Sequence, residues 1–315
     1  NVFVTGATGF LGSWLCDELV KIGANVIALE RDFEPKSNFY FLELNKKVTL
    51  VRGDLTNLYL LNRIFNEYEI NFCFHLGAQP LVPVANRSPL TTFESNIRGT
   101  WNILEAVRCS PLKPKLIVAS SDKAYGESET LPYKESHELR GQYPYDVSKS
   151  CVDLISQSYF TTYKTPVAII RCGNFYGGGD LNWSRIIPSA IRSIIFNKNP
   201  IIRSDGKLIR DYIYVKDVVS AYLALGEKME DESIYGEAFN FGTETPVTVL
   251  DLANKVIELT QKKHLTLEIL GQNHGEITEQ YLSTEKARTV LGWRPSYSLD
   301  RGLLSTYEWY KEFFN

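Results

Sequence analysis

The stretch Val4-Thr5-Gly6-Ala7-Thr8-Gly9-Phe10-Leu11-Gly12 sets three glycines at spacings of three between an apolar run, Asn1 to Thr5, and a helical pattern, Gly12 to Ile22. Glycine allows a tight turn, lets backbone amides approach a pyrophosphate, and hands that anion to a helix N-terminus. Strand before and helix after are the context in which this spacing cradles a dinucleotide. Gly6, Gly9, Phe10, Leu11 and Gly12 are its predicted contacts. The bland alternative is a glycine-rich turn that holds nothing.

Outward from this loop, apolar runs recur at Asn25 to Leu29, Val48 to Val51, Asn71 to Leu76, Lys115 to Ala119 and Pro166 to Arg171. Helical patterns separate them at Leu58 to Tyr68, Thr91 to Val107 and Val147 to Tyr163. The alternation predicts an α/β fold, a doubly wound parallel (Rossmann) sheet with strands buried on both faces. After residue 174 the rhythm breaks at Gly177-Gly178-Gly179-Asp180, Pro188, Pro200, Pro246 and Pro295. A second, smaller substrate-binding lobe is expected there. The expected division gives 1–174 with about 210–245 to the dinucleotide-binding domain, and about 175–209 with 246–315 to the lobe.

With 315 residues, 44% of them hydrophobic, the chain can bury a large core. A net charge of −3 from interspersed signs offers no basic surface for nucleic acid or anionic lipid. No apolar run reaches the ~18 residues of a membrane span, and the first residues lack a signal-peptide layout, so a cytoplasmic protein is expected. The chain enters a strand at Asn1 without a methionine, which predicts that a few residues precede it. Cys16, Cys73, Cys109, Cys151 and Cys172 are scattered and read as reduced thiols. His75, His137, His264 and His274 form no metal-ligand pattern, and no metal is expected.

The second strand ends Leu29-Glu30-Arg31-Asp32, about 20 residues past the glycines, where an acid bonds an adenosine ribose and an arginine accommodates a 2′-phosphate. Glu30 favours NAD and Arg31 allows NADP; the reading favours NAD, because a carboxylate repels the extra phosphate. In Gly53-Asp54-Leu55, Asp54 is placed to reach adenine, or else to cap the helix that follows. Gly77, Ala78 and Gln79 close the fourth strand where backbone must pass the cofactor.

Tyr145 and Lys149 lie four apart on one helical face, after a strand that ends Ala119-Ser120-Ser121-Asp122-Lys123-Ala124-Tyr125-Gly126. An ammonium beside a phenol lowers its pKa and makes Tyr145 an acceptor for an alcohol proton. Glycine loop, Asp54, Ser121, Tyr145 with Lys149, and Arg210-Asp211-Tyr212-Ile213-Tyr214-Val215-Lys216-Asp217-Val218 occur in the order of the extended short-chain dehydrogenases/reductases, which the chain resembles over nearly its whole length. The resemblance implies that Ser121 bonds a sugar 4-hydroxyl, that Tyr145 is the base, and that Lys149 holds phenolate and nicotinamide ribose. It also implies a nucleotide-sugar substrate and a homodimer formed by the helices at Thr91 to Val107 and Val147 to Tyr163.

Asp122-Lys123 resembles the acid and base of the nucleotide-sugar 4,6-dehydratase branch, as opposed to the epimerases. After oxidation at C4 the C5 proton is acidic, so Lys123 would remove it while Asp122 protonates the departing C6 hydroxyl. That requires burial to raise Asp122 and lower Lys123; a solvated turn or structural ion pair is the alternative. Arg171-Cys172-Gly173-Asn174-Phe175-Tyr176, the triple glycine, Arg185-Ile186-Ile187-Pro188 and Gly12-Ser13-Trp14-Leu15 resemble the CDP-glucose 4,6-dehydratases. Asn174, Arg185 and Arg210 are the implied substrate contacts. For Arg210 the rival is an ion pair with Asp211 or Asp217. Asp211-Tyr212 departs from the Pro-Trp pair of the CDP-sugar pattern, which leaves dTDP-, GDP- and UDP-sugars open, as well as 4-epimerisation. The segment from Glu276 to Leu282 lacks an arginine that many relatives carry. A non-catalytic cofactor-binding regulator is the reading from another class, and it has no need for Ser121, Tyr145 and Lys149 together.

Overall fold

The computed structural model describes residues 1–272 and 277–315; His274 and Glu276 lie outside the described residues. Strands β1 (Val2–Thr5), β2 (Val26–Glu30), β3 (Thr49–Arg52), β4 (Phe72–His75), β5 (Lys115–Ala119) and β6 (Val167–Cys172) join Ala238–Phe241 in one seven-stranded sheet. Its order is Ala238–Phe241, β6, β5, β4, β1, β2, β3, and every pairing is parallel. Every residue of β2 and β6 is buried, which is why these strands read as unbroken apolar runs and not as alternating ones.

Successive side chains of a strand enter opposite layers. Phe3 and Ile27 pack with Leu61, Ile64, Phe65 and Leu104 on one face. Val4 and Ala28 pack with Leu15, Leu19, Val218 and Tyr222 on the other. The first layer holds helices Leu58–Glu67, Gly99–Cys109 and Pro144–Tyr163, and the second holds Phe10–Lys21 and Val215–Lys228. Because β1 lies between β2 and β4, the chain reverses its winding there. A crevice opens beyond the carboxyl ends of β1 and β4, where such sheets bind ligands.

The sequence predicts one helix over Thr91 to Val107, but the chain makes helix Pro89–Phe93, a π turn at Glu94–Arg98 and helix Gly99–Cys109. The wider turn swings Asn96 inward, where its Nδ2 donates to Ser148 Oγ (2.9 Å) and its Oδ1 accepts from the Gln79 amide (2.6 Å).

Beyond β6 the strands are short. Asn174–Tyr176 pairs with Tyr212–Tyr214, Ile201–Ile202 with Glu268–Ile269, and Ile209–Arg210 lies between Val247–Thr248 and Glu279–Gln280. Helices Ile186–Ile195, Val249–Leu259 and Leu299–Phe314 pack around them. Trp293, after the left-handed Gly292 that ends helix Glu285–Leu291, stands edge-on to Phe241 and donates to Ser220 Oγ (2.9 Å), a packing role. Among the described residues no helix is long and apolar enough to cross a membrane, and no cluster of His, Cys, Asp and Glu could hold a metal.

Candidate active site

The loop after β1 has no room for a side chain at its first and third glycines. Gly6 sits at φ +67°, and a Cβ there would lie 2.8 Å from the Gly77 nitrogen; one on Gly12 would lie 2.0 Å from the Gly6 oxygen. The Gly9 amide closes the turn on Gly6 O (3.0 Å), and Leu11 is buried beneath. Phe10 stacks on Phe175 at 5.4 Å. A buried relay ties the ends of β1 and β4: Gly77 N–H donates to Thr5 Oγ1 (3.0 Å), which meets His75 Nδ1 (2.8 Å), while His75 Nε2 meets Thr100 Oγ1 (2.9 Å). Burial lowers the His75 pKa to about 3, so the ring is neutral and serves as a hydrogen-bonding spacer. Leu55 lies against Gly77; Ala78 and Gln79, which follow it, are half-buried. The glycine-lined cradle at a helix N-terminus fits a dinucleotide pyrophosphate.

At the adenosine end, Glu30 is buried and both its oxygens are engaged, Oε2 by Arg52 Nε (3.1 Å) and Oε1 by the Tyr40 hydroxyl. Arg31 is exposed and donates to Asp32 at 2.7 Å. Asp54 accepts from the amide and hydroxyl of Thr56, 2.7 Å each, while Asn57 caps the following helix by accepting from Leu60 N (3.0 Å). The capping role belongs to Asn57.

Strand β5 delivers Ser121 to the same crevice, and Ser121 caps the single turn Asp122–Tyr125 by accepting from the Lys123 amide (3.2 Å). Its hydroxyl donates to Asp122 Oδ1 (2.9 Å) and is hydrogen-bonded to the Tyr145 side chain, so one serine joins the three groups. Asp122 is buried, and loss of water raises its pKa against the opposing pull of Lys123, the Ser121 hydroxyl and Arg210. That is the direction a proton donor needs. Lys149 Nζ donates to Ala119 O (2.7 Å) and lies 6.0 Å from the Tyr145 ring centre; burial lowers it to about 8.

One expectation is corrected. Tyr145 is not lowered by Lys149: its recess raises it well above the phenolic value, and the Ser121 hydrogen bond only partly opposes this. Sequence shows a neighbouring charge but not the depth of a recess. Asp146, beside Tyr145, escaped the sequence reading; burial raises it to about 6, with Lys123 lowering it and Asp122 raising it. Gln280 escaped as well. It is fully buried, and its Oε1 accepts from Lys123 Nζ at 3.1 Å.

On the far side of the crevice, Asn174 opens its strand with a buried Nδ2 that has no partner among the described residues. Arg185 donates to Asp180 of the triple-glycine loop (2.9 Å). Arg210 is buried; its guanidinium donates to the carbonyls of Ile209 (2.8 Å), Thr278 (3.1 Å) and Ile277 (2.5 Å). Asp211 accepts from Thr243 and the Glu244 amide, and Asp217 accepts from Ser296 and the Tyr297 amide.

A Rossmann sheet with a glycine cradle at its switch point and a serine, tyrosine and lysine at the neighbouring strand end defines an extended short-chain dehydrogenase/reductase. More narrowly, the chain belongs to the GDP-mannose 4,6 dehydratase family, whose model matches residues 3–306. It is 32% identical to the CDP-glucose 4,6-dehydratase of Salmonella typhimurium, over 99% of this chain and 90% of that one. Among solved structures it is similar to a UDP-glucose 4-epimerase from Thermotoga maritima with UDP-glucose (TM-score 0.91, 27% identity, all of both chains). It is also similar to a dTDP-glucose 4,6-dehydratase from Bacillus anthracis in complex with NAD (TM-score 0.86, 25% identity, 99% of this chain and 96% of that one).

Proposed function

We propose that the protein is an NAD-dependent nucleotide-sugar 4,6-dehydratase that converts CDP-glucose to CDP-4-keto-6-deoxyglucose. The observation that carries this is the turn Asp122–Tyr125, which sets a buried Asp122, its pKa raised by loss of water, and an amine, Lys123, beside Tyr145 through Ser121. Tyr145 is the group placed to accept the proton of the 4-hydroxyl, with Ser121 orienting both; because burial holds it as a phenol, that role requires the positive charge of a bound nicotinamide, with Lys149, to favour the phenolate. Lys123 then removes the C5 proton; the C5–H electron pair becomes the C5=C6 bond as the C6–O bond breaks, and Asp122 protonates the leaving oxygen to give water. A bound nicotinamide supplies the acceptor for the C4 hydride and its return to C6, and the ammonium of Lys123 gives a proton back to C5 to complete the 4-keto-6-deoxy product. Lys149, fixed by Ala119 O, holds the ribose edge and stabilises the phenolate.

The carboxylates of Glu30 and Asp32 at the end of β2 support NAD over NADP, because they repel a 2′-phosphate. A dissociation constant for NADP about tenfold below that for NAD would overturn this. Asn174, with its free donor, and Arg185 are the side chains assigned to the substrate diphosphate, and Arg210 is assigned to support them from within. The reading includes a homodimer through helices Gly99–Cys109 and Pro144–Tyr163, which expose Trp101 (43%) and Leu154 (55%), and a cytoplasmic setting. Light scattering that shows a monomer would contradict the dimer.

The likeness to an epimerase gives 4-epimerisation as the second reading. Incubation of the holoenzyme with CDP-, dTDP-, GDP- and UDP-glucose separates them: the dehydratase removes the mass of one water from CDP-glucose. An unchanged mass with inverted C4 stereochemistry by NMR would favour the epimerase.

A further inference from the structure

Lys123 is the side chain on which elimination depends, and its turn alone does not fix it. The turn holds the backbone through Ser121, but the amine at the end of four methylenes is met from another part of the chain. Gln280, on the strand Glu279–Gln280 beside Ile209–Arg210, offers Oε1 to Lys123 Nζ at 3.1 Å. The orientation of this carboxamide is determined by that contact, since a flipped amide would turn its NH2 toward the amine. Gln280 Nε2 is then buried with no partner among the described residues. A buried donor left unpaired is costly, so the carboxamide is a poor choice for packing alone.

The groups around the amine come from every neighbouring element. Asp122, on its own turn, and Asp146, on helix Pro144–Tyr163, interact electrostatically with Lys123, and Arg210 on the next strand and Tyr133 interact with Asp122. A base that takes a carbon-bound proton must work as a neutral amine, so the contact that orients it should bring no negative charge. Gln280 is the contact that orients the nitrogen without adding charge.

We propose that Gln280 is the positioning residue for Lys123: its carboxamide oxygen holds one N–H of the amine and aims the nitrogen lone pair at the sugar C5 proton. This rests on the dehydratase reading for the identity of that proton, but the contact itself is testable without substrate. The test uses holoenzyme carrying Gln280→Glu or Gln280→Met. In Gln280→Glu a carboxylate replaces a neutral oxygen of the same reach, so reductive methylation of Lys123 at pH 8, followed by peptide mass spectrometry, falls by ~10-fold while other lysines label as before. Its kcat for dehydration falls at neutral pH and recovers as pH rises, with KM held within about twofold. Gln280→Met lowers kcat at every pH and does not lower the melting temperature, because it removes the unpaired donor.

Equal labelling of Lys123 in all three proteins, or superposed pH profiles, would overturn the proposal. So would a Gln280→Met protein that melts early yet turns over normally, which marks a packing residue. If the unsubstituted protein dehydrates no nucleotide sugar, the functional reading fails on its own account, and the labelling comparison still decides whether Gln280 governs Lys123.

Discussion

The glycine cradle after β1 and the corner where Ile209–Arg210 meets Glu279–Gln280 serve one crevice, but they are built in opposite ways. The cradle is nine consecutive residues whose backbone is proposed to do the binding, and at Gly6 and Gly12 a side chain is excluded by contacts as short as 2.0 Å. The corner is made of side chains brought together across the chain: Lys123 and Gln280 stand 157 positions apart, and Arg210 reaches carbonyls 67 and 68 positions away. A contiguous motif fails when a single atom is added. A dispersed one fails when a single contact is redirected.

The largest effect is expected in the corner, at Lys123. Lys123→Ala should lower kcat for elimination by ~10²–10⁴-fold while reduced-cofactor absorbance from C4 oxidation still appears. Full dehydration by that variant would leave the corner without a catalytic purpose. Gly12→Val, which drives carbon into the Gly6 carbonyl, should cost ~3 kcal/mol or more in folding or NAD affinity, read by calorimetric titration. Unchanged affinity would mean that backbone shape is not what binds.

The buried pair Arg171–Asp153 is 2.7 Å apart, and Arg171 also bonds Tyr125 and Glu135 O and so steadies the turn that carries Asp122. Arg171→Met would strand Asp153 without its cation and should destabilise the fold by ~3–5 kcal/mol in urea unfolding. Lys149 has the opposite sign. Its folded pKa of about 8 lies below the unfolded value of an ordinary lysine, so the unfolded chain binds the extra proton between those pH values. The penalty is full below pH 8 and fades as pH rises through that window. Lys149→Met should therefore gain stability on the order of 2–3 kcal/mol at pH 7, the gain vanishing by about pH 10.5, and lose activity. The smallest effect belongs to the exposed Arg31–Asp32 pair, where Arg31→Ala should shift stability by less than ~0.5 kcal/mol.

The same contrast sets what a sequence can reveal. The sheet was legible because parallel strands such as β2 and β6 are buried on both faces and therefore run apolar without interruption. Tyr145 with Lys149 was legible because helical spacing fixes their face, and Ser121 because strand ends meet the crevice. The break at Glu94–Arg98 was not, since one π turn hardly disturbs an apolar periodicity. Tyr145 was read in the wrong electrostatic direction because a recess leaves no local mark. Gln280 left none either, for a two-residue strand has no pattern, and its partner lies in another part of the chain.

The central claim is elimination across C5 and C6, and turnover of CDP-glucose in D2O tests it most directly. Removal of the C5 proton by Lys123 exchanges it with solvent, so the account predicts a 4-keto-6-deoxy product that has lost one water and carries one deuterium at C5. A product with unchanged mass and no deuterium would contradict it.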